Sequence, residues 1–132
     1  MSEKIKLSAT FPVSPEVIYN AWLNSKEHSV MTGAMATASK LKGKYFSAWD
    51  GYISGFNLKL TPYSEIVQSW RSTEFSNEAP DSVLTVKLEK VEKGTKVTII
   101  HSDVPHGTGA AYKQGWKDFY FKPMKVYFSS IK

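Results

Sequence analysis

The sequence predicts an α+β fold: a curved antiparallel sheet of about six or seven strands wrapped around one long C-terminal helix, with one or two short helices after the first strand. Three observations carry this. Runs of alternating apolar and polar residues are joined by tight-turn pairs, Asp50-Gly51 and Lys93-Gly94 among them. After Pro105 the apolar period changes to three and four residues, through Tyr112, Trp116, Phe119, Pro123 and Tyr127. The 132 residues contain no linker, internal repeat or low-complexity tract, which reads as a single domain over 1–132. A meander of strands curls, and a lone helix laid across its concave side closes a core while leaving room for a cavity.

Each element has its own signal. Lys4 to Phe11 alternates, with Ile5, Leu7, Ala9 and Phe11 on one side, as a half-buried strand does. Ser14-Pro15-Glu16 supplies an N-cap, a proline at the first helical position and an acid near the positive helix end. Val17, Ile18, Ala21 and Trp22 then recur at helical spacing, and Ser25 caps a further turn or two through Met31. Thr32 to Ser39 is rich in small residues and reads as a loop or weak strand.

Gly43 to Trp49 and Tyr52 to Leu60 form a hairpin around Asp50-Gly51, a pair suited to positive φ at both turn positions. A two-residue loop sets Trp49 opposite Tyr52 and Tyr45 opposite Phe56; on the other face Phe46 meets Gly55 and Ala48 meets Ile53. Asn57 and Leu58 fit the alternation poorly, as a bulge would make them. Tyr63-Ser64 turns the chain into Ile66 to Phe75, and Asn77 to Asp81 breaks it. Val83 to Val91 and Thr95 to Val104 make the last hairpin, with Leu84, Val86 and Leu88 on one face and Val97, Ile99 and His101 on a face of the partner. Pro123 inside the final helix removes a donor and presses on the Phe119 carbonyl, which predicts a bend or local break.

Composition excludes several functions. No cysteine is present, so disulfides, thiolate zinc sites and thiol nucleophiles are ruled out. No run of eighteen apolar residues appears and the N-terminus is not a signal region, so membrane insertion and export are not expected and the chain reads as cytoplasmic. The net charge of +5 comes from sixteen scattered lysines and Arg71 alone, a poor fit to base reading by arginine, so nucleic acid is not expected. Lys40, Lys42 and Lys44 are the one local run and suit a defended sheet edge.

The succession Phe46, Asp50-Gly51, Ile53, Gly55, Pro62, Ile66-Val67, Trp70-Arg71, Val104-Pro105 and Gly115-Trp116, with Phe119, Tyr120 and Phe121, resembles the activator of heat-shock protein 90 ATPase homologue family. The likeness runs from about Ile5 to Ile131. That family lies within the START-like (SRPBCC) superfamily, which implies a helix-grip fold with a pocket between sheet and C-terminal helix. Many relatives there hold hydrophobic small molecules. Eukaryotic co-chaperone members carry a separate N-terminal domain before the related one, so the present chain is more similar to the stand-alone bacterial members.

Two binding readings follow. A cavity for an apolar or amphipathic molecule would be walled by Trp22, Phe46, Ile53, Ile99, His101, Trp116, Phe119 and Tyr120, with Pro123 beside them. The alternative is a protein surface for a heat-shock protein 90-type chaperone, formed by Tyr45, Trp49, Tyr52 and Phe56 on the convex side of the hairpin. Core packing competes with both, since rings on a helix facing a sheet usually fill space. His101 reads as a hydrogen-bonded core histidine, His106 as solvated, and His28 lacks carboxylate neighbours at metal-ligand spacing. No nucleophile elbow, phosphate loop or carboxylate pair is present, so no catalytic residue, metal ligand or cofactor is assigned.

Overall fold

The computed structural model describes residues 2–131. Six strands, β1 (Ser2–Phe11), β2 (Tyr45–Ala48), β3 (Ile53–Thr61), β4 (Glu65–Ser72), β5 (Ser82–Val91) and β6 (Gly94–Pro105), form one curved antiparallel sheet in the order β1-β6-β5-β4-β3-β2. The last five strands follow one another as hairpins and β1 closes against β6. Two short helices, α1 (Pro15–Trp22) and α2 (Ser25–Thr32), therefore carry the chain from one edge of the sheet to the other.

Capping explains the helices. Ser14 is extended and its side chain accepts from the Val17 amide at 3.4 Å, with Pro15 in the first turn. The second helix begins one residue earlier than its serine suggests, because the Asn24 side chain accepts from the Glu27 amide at 2.9 Å. Ser25 instead bonds the backbone of Ala38, receiving its N–H at 2.9 Å, and so holds the following segment in place. Within that segment Thr37 and Ser47 exchange two backbone bonds of 2.9 Å, which reduces the weak strand to a single bridge.

The strand faces follow the alternation. Leu84, Val86 and Leu88 pair with His101, Ile99 and Val97 on the concave face, all buried. In β3, Ile53, Gly55 and Asn57 point inward, and a register shift between Asn57 and Lys59 then turns Leu58 and Lys59 outward. β4 ends at Ser72, earlier than its apolar run suggests. The loop beyond it is fastened by Arg71, which donates to the carbonyls of Ala79 and Ser76 at 2.8 and 2.7 Å and pairs with Asp81 at 2.9 Å.

The C-terminal helical rod is α3 (Gly109–Trp116), a π-helical segment (Lys117–Phe121) and α4 (Lys122–Ile131) in unbroken succession. Its N-terminus is capped from across the sheet. The Glu3 carboxylate accepts the amides of Gly107 at 2.8 Å and Gly109 at 2.7 Å, and these bonds hold its pKa below the usual carboxylate value. At the other end Phe11 sits between Phe121 and Phe128, edge-on at 5.8 and 5.9 Å. The disturbance expected at Pro123 is the widened turn just before it, where the Lys122 amide reaches back to the Lys117 carbonyl.

Gly55 marks the tightest backbone approach in the hairpin. A Cβ there would fall inside contact distance of the Ser69 carbonyl and 2.7 Å from the Phe46 ring. Gly55→Ala is expected to cost about 3 kcal/mol, the upper end of overpacking penalties, as a drop in the urea midpoint at unchanged slope.

Candidate functional site

A cavity of about 480 Å³ opens between the β2–β3 turn, the adjoining ends of β3 and β4, and the rod. On the rod side Thr108, Ala111, Tyr112, Gly115, Trp116, Phe119 and Tyr120 form one continuous helical face. Its two small residues lie between the rings, so they leave a gap where larger side chains would have met the sheet. Trp49 and Tyr52 from the turn, with Ile53, Trp70 and Glu74, complete the wall.

Two buried histidines fix the height and rotation of that helical face. The Trp116 indole donates to His101 Nδ1 at 3.1 Å, which makes Nε2 the protonated nitrogen; it donates to Ser82 Oγ at 2.8 Å, and that hydroxyl donates to the Trp70 carbonyl at 2.6 Å. On the other flank His28 Nδ1 donates to the Trp22 carbonyl at 2.8 Å, so its Nε2 accepts from the Tyr120 hydroxyl at 2.8 Å. Burial depresses both imidazole pKa values, that of His101 to about 3, and raises that of Tyr120. Both rings are therefore neutral and serve as fixed hydrogen-bond relays. His101 is enclosed, and its polar atoms are fully engaged.

The chemistry of the wall is aromatic with a polar corner. Tyr112 and Ser72 share a hydroxyl–hydroxyl bond of 2.7 Å, and Ser72 Oγ also accepts the Glu74 amide at 3.2 Å. Burial pushes the Tyr52 hydroxyl pKa up, with the nearby Ser72 opposing and the Tyr112 and Glu74 groups adding to the rise. Among the described residues no group of three metal-ligating side chains occurs, and no helix is long and apolar enough to cross a membrane.

The residues nominated from sequence divide. Ile53, Trp116, Phe119 and Tyr120 border the cavity, whereas Trp22, Phe46, Ile99 and His101 lie in the packed core behind it. Trp22, for instance, stacks on Tyr120 at 5.0 Å and gives its indole N–H to Gln68. Of the four hairpin rings assigned to the convex face, Tyr45 and Phe56 are there, 50% and 49% exposed and edge-on at 5.8 Å. Trp49 and Tyr52 are not: they border the cavity. The reason is backbone. Trp49, Asp50 and Gly51 all have positive φ, 53°, 58° and 91°, so the alternation stops one residue before the turn and the Trp49 ring swings to Phe119, 5.6 Å away. Sequence reasoning also missed Trp70, Tyr112, Ala111 and Gly115 as wall residues. The helical pair Ala111 and Gly115, small residues on a ringed face, was the available signal. Lys40, Lys42 and Lys44, expected at a defended sheet edge, fall on the exposed loop that leads into β2.

The family model for "Activator of Hsp90 ATPase homolog 1-like protein" matches residues 12–129. The chain belongs to that family. It is 30% identical over 127 residues to the human activator of 90 kDa heat shock protein ATPase homolog 1, covering 95% of this chain and 37% of that protein. A Dictyostelium discoideum activator of 90 kDa heat shock protein ATPase homolog is 28% identical over 116 residues, 88% of this chain and 30% of that one. The chain thus spans about a third of the length of these relatives. Among solved structures, an HSP90 activator from Plasmodium falciparum superposes with a TM-score of 0.86 at 24% identity, covering 96% of both chains. A Mesorhizobium loti protein reaches 0.83 at 18% identity, over 98% of this chain and 99% of that one. These likenesses show the helix-grip fold.

The buried histidines give the fold a pH dependence. The unfolded chain protonates them below about pH 6.5 while the native state resists, so stability is complete above that value and falls as pH drops, for His101 down to about pH 3. Urea unfolding at about pH 7.5 and about pH 5 should differ by about 2 kcal/mol from His101, with His28 adding to the loss. His101→Phe should show a slope shallower by one histidine's share, whatever its own cost.

Proposed function

We propose that this chain binds an apolar or amphipathic small molecule in the cavity between the hairpin turn and the C-terminal rod. The observation carrying this reading is the pairing of a ringed wall with small residues at Ala111 and Gly115, on a helix whose setting is fixed by buried hydrogen bonds. Rings on a rigid frame do not collapse into the gap, and the polar corner at Tyr112, Ser72 and Glu74 offers orientation.

Gly115 provides the test. A Cβ at that position meets only the Phe119 ring edge, at an ordinary 3.8 Å, so a longer side chain grows into the cavity without disturbing the backbone. Gly115→Leu should weaken binding of a neutral apolar dye by about tenfold or more, while helix propensity keeps the melting temperature at or above that of the parent. Native mass spectrometry of gently purified parent protein should show a retained adduct. A parent chain that retains nothing and binds no apolar dye removes this reading.

A second reading rests on a separate observation. Tyr45, Phe56 and Leu58 are exposed together on the outer face of β2 and β3, flanked by Lys44 and Lys59, and the named relatives are activators of a 90 kDa heat shock protein ATPase. This patch would meet a heat-shock protein 90-type chaperone in the cytoplasm, apolar rings at the centre and lysines at the rim. Adding the chain to such a chaperone from the same cell should change its ATP turnover. The double variant Tyr45→Ser, Phe56→Ser should reduce the effect by about tenfold, the size expected for lost aromatic anchors. No change at saturating parent chain eliminates the chaperone role.

A further inference from the structure

The cavity wall carries a single ionised side chain. Seven of its twelve residues are aromatic, and among the twelve only Glu74 is charged. This contrasts with the chain as a whole, whose net charge is +5. Among the described residues no lysine, and neither Arg71 nor any histidine, lines the wall. The positive charge of the molecule has been kept off this surface.

Glu74 is placed by its own backbone. Its amide donates to Ser72 Oγ, which is bonded to the Tyr112 hydroxyl, so the turn after β4 is tied to the wall. Its carboxylate lies near enough to the Tyr52 hydroxyl to help raise that group's pKa. Among the described residues Glu74 forms no ion pair: the carboxylates engaged with cationic side chains are Glu65, Asp81, Glu3 and Asp118. An exposed carboxylate therefore stands on the wall of an aromatic cavity without a cationic side-chain partner among the described residues.

Those two features select the same sign of charge. Ring faces present negative potential and attract ammonium groups over them, and a nearby carboxylate adds Coulombic attraction. An anionic head would meet repulsion from both. We infer that the cavity is selective for amphipathic cations, molecules with an ammonium head held between Glu74 and the surrounding rings and an apolar portion between Trp49, Trp116 and Phe119. This inference rests on the cavity being a ligand site and adds the class of ligand.

A matched series of probes tests it: octyltrimethylammonium, 1-octanol and octyl sulfate, titrated at physiological ionic strength with tryptophan fluorescence as readout. The cation should bind about tenfold more tightly than the alcohol, and octyl sulfate most weakly. Net charge alone favours the sulfate, so a cation preference has to come from the site. In Glu74→Gln the ratio of cation to alcohol affinity should fall below about threefold. Gly115→Leu should weaken the cation and the alcohol together, which shows that both occupy the cavity. Equal affinities, or tightest binding by octyl sulfate, overturn the cation selectivity and leave the cavity reading standing. Absence of binding by all three, or binding indifferent to Gly115→Leu, overturns both.

Discussion

The arrangement depends on one constraint: a polar atom taken out of water has to find a partner. Two indole and phenol groups on the C-terminal rod, from Trp116 and Tyr120, are buried, and each is met by an imidazole from a different part of the chain. Rotating or sliding the rod by one residue would break both bonds and strand the donors and acceptors on each side, at about 1–3 kcal/mol apiece. The rod therefore has one setting against the sheet. That setting leaves Ala111 and Gly115 facing open space, so the cavity is a consequence of how the rod is held, not of poor packing. Among the described residues no buried side-chain nitrogen or oxygen lacks a partner.

The same rule extends sideways from the rod. Trp22, whose carbonyl holds His28, passes its indole N–H to Gln68, which donates to Asn57, which in turn donates to the carbonyls of Ser39 and Leu41. A continuous buried path thus joins the rod, α1, the sheet and the lysine-bearing loop. Asn57 sits where β3 changes register, and its side chain occupies the inward place that the alternation would give a hydrophobic residue. The bulge and the polar path come from the same residue. This explains why Asn57 and Leu58 fit no simple strand pattern.

Much of the fold was legible because period is a local property. Each strand from Lys4 to Val104, the Ser14-Pro15 helix start and the C-terminal rod leave marks within a window of ten or so residues. The cavity was less so, and the reasons are specific. His28 and Tyr120 are 92 positions apart, and no periodicity reports that they meet. Trp49 was misassigned because alternation presumes extended backbone, and its φ of 53° lies outside that region. Trp22, Phe46 and Ile99 share the inward side with true wall residues; only the depth of neighbouring side chains separates core from lining, and depth is not written in alternation.

Pro123 shows how a local rule can shape the site at a distance. Its ring and missing N–H are incompatible with a regular turn beneath it, and the rod answers by inserting one extra residue between Lys117 and Phe121. Within the widened segment two consecutive rings, Tyr120 and Phe121, are both buried. Tyr120 belongs to the upstream stripe that ends on the cavity with Trp116; Phe121 begins the downstream stripe that continues through Met124 and Phe128 onto Phe11. The downstream stripe anchors the rod in a filled core while the upstream stripe spans a gap. Phe119, displaced from both, is left 57% exposed at the mouth beside Trp49. The proline therefore divides the rod into a part that packs against the core and a part that borders the cavity.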